Sequence, residues 1–116
     1  MWNVLATVEL GRWMGEQSDD AKEEIAVLLE LLRAKGPHLS RPYADTLKGS
    51  HFANMKELRI NAKRMAIRIA FAFDPQRNAI LLVAGDKRGI SETVFYRRLI
   101  ARADGLYAKY LEATES

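Results

Sequence analysis

The chain contains no cysteine. Disulfides and thiolate metal sites are excluded, and the absence suits a reducing compartment. Histidine is scarce: only His38 and His51 occur, both in a loop-like connector. Without cysteine or a paired histidine–carboxylate spacing, no metal site is expected. No apolar run approaches the roughly 20 residues needed to cross a bilayer. The start, MWNVLATVELGRW, lacks the basic region and long apolar core of a signal peptide. Internal repeats, low-complexity segments and a domain boundary are also missing. The expectation is a soluble, cytoplasmic protein with no membrane partner and one domain over residues 1–116, long enough for a true core.

Charge is present in both signs but unevenly placed. Residues 1–40 hold 4 Lys/Arg and 7 Asp/Glu, a net of −3. Residues 41–103 hold 13 Lys/Arg and 5 Asp/Glu, a net of +8. A basic second part on a small domain suits a phosphate-rich partner. A solvated basic surface, or one facing an acidic protein, is the competing explanation.

Periodicity divides the chain into elements. Trp2, Val4, Ala6 and Val8 alternate with Asn3, Leu5, Thr7 and Glu9, predicting a first strand. Residues 9–17, with two glycines, read as a short helix or a turn that packs Trp13 inward. Ser18 is an N-cap, followed by Asp19 and Asp20 in a first turn that favours negative charge. The helix carries Ala21, Ile25, Leu28, Leu29 and Leu32 on one face and stops at Gly36-Pro37. Residues 37–52 form a connector, anchored by Tyr43 and Leu47. Three strands follow, over 55–62, 65–73 and 79–84, the last two joined by the turn-rich DPQRN. The second of these alternates Ile67, Ile69, Phe71 and Phe73 with Arg68, Ala70 and Ala72. Arg68 is thus expected on a sheet face with only alanines beside it. The third strand is apolar on both sides, which predicts that both its faces are covered. Ser91 caps a final helix with rows Phe95, Leu99, Leu106, Tyr110 and Tyr96, Ile100, Ala103, Tyr107, Leu111. The order β-α-β-β-β-α gives an α+β domain with an antiparallel meander, to which the first strand adds.

The runs RPYADTLKGS, NMKELR, IRIAFAFDP, AILLVAGDK and FYRRLIARADGLYAKYL, in this order, resemble the RelE/ParE superfamily of bacterial toxins, closest to its HigB-like branch. That resemblance covers essentially the whole chain and implies a RelE-like fold with an antiparallel or mixed sheet packed against helices. It implies a toxin of a type II toxin–antitoxin system that cleaves mRNA on the ribosome and inhibits translation, without metal or cofactor. The RNA's 2′-hydroxyl would attack the neighbouring phosphate. The partners would be the ribosome, mRNA and a cognate antitoxin, commonly a helix-turn-helix DNA-binding protein. ParE-like members instead poison DNA gyrase, and a phage-derived remnant could merely bind an antitoxin.

Carried over position by position, the catalytic set falls on Arg68, Lys87, Arg88 and Tyr96. Arg68 would stabilise the phosphorane, since arginine stays charged and forks onto two oxygens. Lys87 and Arg88 would bind phosphate or assist proton transfer, and Tyr96 would stack on a base or orient the 2′-hydroxyl. RNA-binding roles fall on Lys56, Arg59, Arg64 and Arg97. Residue by residue, a salt-bridged strand arginine, a solvated loop and a core tyrosine are the rival readings. Alternation puts Lys56 and Arg59 on opposite faces, and Arg59 shares its face with Glu57, predicting a local ion pair. Glu57 stands where RelE-type proteins have lysine. With no histidine on the sheet or last helix, the general base would be a lysine or tyrosine whose pKa the positive surroundings lower.

Overall fold

In a computed structural model, which describes residues 1–115, the chain is α+β with a five-stranded mixed sheet between helices. Ser116, the last residue of the expected 1–116 unit, lies outside the described residues. The elements are β1 (Asn3–Ala6), α1 (Val8–Gly15), α2 (Asp19–Lys35), β2 (Ala44–Thr46), β3 (Met55–Ile60), β4 (Ile67–Phe73), β5 (Asn78–Asp86) and α3 (Glu92–Glu115). The strand order is β1-β5-β4-β3-β2. β3, β4 and β5 form the expected antiparallel meander, and β1 adds parallel to β5.

Two elements extend the expected order. The segment left open as helix or turn is helical: Thr7 caps α1, its hydroxyl accepting from Leu10 N at 3.0 Å. The connector contains β2, whose three residues pair antiparallel with β3. Three residues show no period, so composition hides this strand. Leu47 is buried as expected, but Tyr43 is 45% exposed, at the edge of a depression with Leu28 and Ile60.

The remaining helices start and stop for local reasons. Ser18 Oγ accepts from Ala21 N at 3.2 Å, and α2 ends where Gly36 turns to φ +52°. A Cβ at that glycine would lie 2.2 Å from the Trp2 indole nitrogen, so no side chain fits there. Ser91 Oγ accepts from Val94 N at the start of α3.

The sheet buries both faces. Ile67, Ile69 and Phe71 of β4 pack with Leu58 and Ile60 against Ile25, Leu28 and Leu32 of α2 and Leu10 of α1. On the other face, Ala70 and Ala72 pack with Met55, Ile80 and Leu82 against Phe95, Leu99, Ala103 and Tyr107 of α3. The alanine face is therefore not open. Small side chains let α3 lie close to the sheet, and Arg68, on that face, is only 1% exposed. At Gly85, opposite Arg68, a Cβ would come within 3.1 Å of the Phe95 ring.

Candidate active site

Where β3 ends and β4 begins, Arg59 and Arg68 are direct cross-strand partners. Like charges so placed repel unless an anion intervenes. Glu57, two residues before Arg59 and on the same face, supplies it. Its Oε2 accepts from Arg59 Nη1 at 2.8 Å, and its Oε1 accepts from the Tyr96 hydroxyl at 2.8 Å. Arg68 Nε donates to the Tyr96 oxygen at 3.2 Å and lies 3.8 Å from Glu57 Oε1. Arg68 Nη1 donates to Asn61 Oδ1 and to the Ile67 carbonyl, both at 2.9 Å. Two cations and one carboxylate leave a surplus positive charge. Arg59, the more exposed of the arginines, carries it to the surface.

Arg59 opens onto a cleft of about 540 Å³ between the connector and α3. Arg41 and Lys48 reach it from the connector, and Glu92, Thr93, Tyr96 and Ile100 from α3. At the mouth, Lys87 Nζ donates to Glu92 at 2.7 Å, which holds the Glu92 carboxyl below its ordinary range. Burial, and then donation to Glu57, push the Tyr96 phenol above its ordinary value. The expected lowering by positive surroundings does not occur, because burial and the carboxylate outweigh Arg68. At neutral pH Tyr96 is a hydroxyl: a donor to Glu57 and an acceptor from Arg68, with a lone pair to spare.

Residues 12–108 match the family described as phage derived protein Gp49-like (DUF891). The chain belongs to the Gp49-like family. It is similar to two Mycobacterium tuberculosis proteins. The one named "Putative toxin HigB2" is 39% identical over 107 residues, 91% of this chain and 53% of that protein. The one named "Putative toxin HigB3" is 44% identical over 86 residues, 74% of each chain. This chain therefore spans about half the length of the first relative. The expected HigB-like kinship stands, and the matched region of this Gp49-like chain contains every residue of the cleft.

Of the residues singled out in the sequence, this family member brings Arg59, Arg68 and Tyr96 together around Glu57. Lys87 sits at the rim. Arg88 is exposed and turned to its neighbour Asp86, Nη2 to Oδ2 2.5 Å, with no bond to the cluster. Arg64 is exposed in a turn where it and Lys63 both adopt positive φ, and it lines no wall of the cleft. Lys56 lies on the opposite sheet face from Arg59, as alternation requires, in a depression with Leu39 and Ser40. Arg97 lies one residue past Tyr96 and lines an adjoining cavity. Arg41, Lys48 and Glu92 were not singled out, since loop and helix-start residues carry no period that would assign them to a cleft. The Glu57–Arg59 pair was legible from its same-face spacing. The hub role of Glu57 was not.

Proposed function

We propose that this Gp49-like protein is a toxin of a type II toxin–antitoxin pair and a ribosome-dependent mRNA endoribonuclease. The observation that carries the reading is Arg59. It is held from behind by the Glu57 carboxylate and faces a cleft whose walls carry Arg41, paired with Asp45, and Lys48, with Glu92 opposite. An arginine so fixed is preorganised for the two non-bridging oxygens of a phosphodiester. Similarity to the proteins named "Putative toxin HigB2" and "Putative toxin HigB3" supports the same reading and the antitoxin partner.

In the reaction, the 2′-oxygen bonds to the adjacent phosphorus and the bond to the 5′-oxygen breaks. The 2′-hydroxyl proton passes to the Tyr96 oxygen as Tyr96 gives its own proton to Glu57, along the existing 2.8 Å bond. Arg59 neutralises charge on the phosphorane. Arg68 does not reach the substrate; it fixes the Tyr96 oxygen and the Glu57 carboxylate. Lys87, released from Glu92, protonates the leaving 5′-oxygen. The products are a 2′,3′-cyclic phosphate and a 5′-hydroxyl. Arg88, Arg64 and Lys56 lie outside the cluster and serve phosphates of the ribosome or mRNA.

The test is purified protein on programmed ribosomes. Arg59→Lys keeps a cation beside Glu57 but loses the fork, and should lower the cleavage rate by about 10²–10³-fold. Absence of cleavage by the wild-type protein sinks the reading; unchanged cleavage in the variant removes Arg59 from the mechanism. Replication halting before translation on expression in cells would favour gyrase as the target instead.

A further inference from the structure

A second cavity of about 650 Å³ adjoins the cleft along α3. The two share Lys48, Thr93, Tyr96 and Ile100, so they run on as one groove. His51, Arg97 and Asp104 belong to the second cavity alone.

Its outer wall is the loop of residues 47–54, and that loop is held in place. Asp104 Oδ1 accepts from Ser50 Oγ at 2.5 Å, and Oδ2 accepts from His51 N at 3.0 Å. Phe52 N donates to Ser50 Oγ at 3.0 Å, and the Phe52 ring packs edge-on against Tyr107. The Asp104 carboxylate is thereby engaged in fixing the loop.

The second cavity shares Lys48 with the first cleft and adds Arg97, and these two differ from the cations around Glu57 and the cleft mouth. Arg41, Arg59, Arg68 and Lys87 each have a carboxylate partner. Lys48 and Arg97 have none among the described residues, and both are exposed. Two unneutralised cations on a fixed wall attract an anion from solution. Between them lie the flat His51 and Tyr96 rings and the apolar Ile100, and Gly49 adds no side chain over that strip. Charge for a phosphate beside planar and apolar surface for a base is the chemistry of a single-stranded nucleotide.

We propose that this cavity is a subsite for the nucleotide one step beyond the pair that flanks the scissile phosphate. Lys48 and Arg97 hold its phosphate, and its base stacks by His51 over Ile100. The proposal rests on the reading of the first cleft as an RNA-cleaving site.

Fluorescence anisotropy with labelled single-stranded RNA, a dinucleotide and an octanucleotide, tests it. The wild-type chain should bind the octanucleotide more tightly. An R97A variant, which leaves the lining of the first cleft intact, should lose about fivefold in octanucleotide affinity and about 0.7 in salt slope, one phosphate contact, with dinucleotide affinity unchanged. His51→Ala should cost about fivefold on the octanucleotide alone. Equal loss on both RNAs, no loss on either, or wild-type protein that binds the octanucleotide no better than the dinucleotide overturns the subsite. If the R97A variant keeps its RNA affinity but loses affinity for a polyglutamate peptide, the groove serves an acidic protein segment and the subsite is wrong. Loss of cleavage in Arg59→Lys is read separately and bears only on the first cleft.

Discussion

The two ends of α3 are moored to the sheet by the same chemical pair, and the pairs are built for opposite ends. Near the start of the helix, Tyr96 donates to Glu57 at 2.8 Å; near its end, Tyr110 donates to Asp74 at 2.6 Å. The 14 positions between the tyrosines are close to a whole number of helical turns, so both hydroxyls face the sheet. Asp74 takes its other bonds from neutral donors of its own hairpin: the Gln76 and Asn78 backbone nitrogens and the Asn78 side chain, all at 2.9 Å. Glu57 takes its other bond from Arg59, has Arg68 3.8 Å away, and lies against an open cleft. A carboxylate among neutral donors closes a turn. A carboxylate among guanidiniums aims them. The difference teaches that the tyrosine–carboxylate bond alone does not mark a site; the surplus charge beside it does.

The largest expected effect falls on Arg68. Arg68→Ala removes a 1%-exposed cation and leaves Asn61, Tyr96 and Glu57 short of a partner. The expected cost is about 3–5 kcal/mol in urea denaturation, with cleavage lost even in the folded fraction. An Arg68→Met/Glu57→Leu double variant should regain much of the stability and none of the activity. If it cleaves RNA, the Glu57 cluster is scaffold only.

Next comes the tyrosine pair. Tyr96→Phe should lower cleavage by about 10²-fold, in line with losing a proton-transfer group. Tyr110→Phe should leave the rate of the folded protein unchanged. Each should cost about 1 kcal/mol of stability for the lost hydrogen bond. Equal rates in the two variants would erase the distinction between the helix ends.

Asp74→Ala follows, at about 1–3 kcal/mol, because two backbone N–H groups lose their acceptor. Cleavage per folded molecule should be unchanged.

The smallest effects are in pH. Burial opposes ionisation of Asp74, but bonds from Tyr110, Asn78 and Gln76 outweigh it and hold its pKa below the ordinary value. Its contribution is therefore present above the unfolded pKa of about 3.9 and fades as pH falls through the lower folded value. Burial and Asp74 push the Tyr110 phenol up to about 12. That contribution is full below the unfolded value of about 10 and is lost as pH rises through about 12. Acid denaturation of Asp74→Asn and alkaline denaturation of Tyr110→Phe should each lack the matching part of the wild-type curve.

Much of this arrangement was legible in residue order. The alternation in β4 assigned its residues to faces, the stop at Gly36-Pro37 ended α2, and the Glu57–Arg59 spacing predicted their bond. Alternation tells which side chains share a face, not what covers it. Ala70 and Ala72 looked like room around Arg68, whereas short side chains on a sheet are what allow a helix to approach. Arg68 thus changed from a presented cation to an internal one, and Arg59 took its place at the cleft. β2, Arg41 and Lys48 sit in a stretch whose structure comes from tertiary pairing, which no local pattern records.

The close seating of α3 has a genetic consequence. If the protein arrests growth as proposed, a selection for surviving cells should collect inactivating lesions that never touch the cleft. A valine at Ala70 or Ala72, both fully buried, would overfill the space under α3, and an alanine at Gly85, whose Cβ would lie 3.1 Å from the Phe95 ring, would make that ring shift beside Tyr96. The small residues under α3 should therefore rank beside the arginines in any map of lost function, though none of them bears a reactive group.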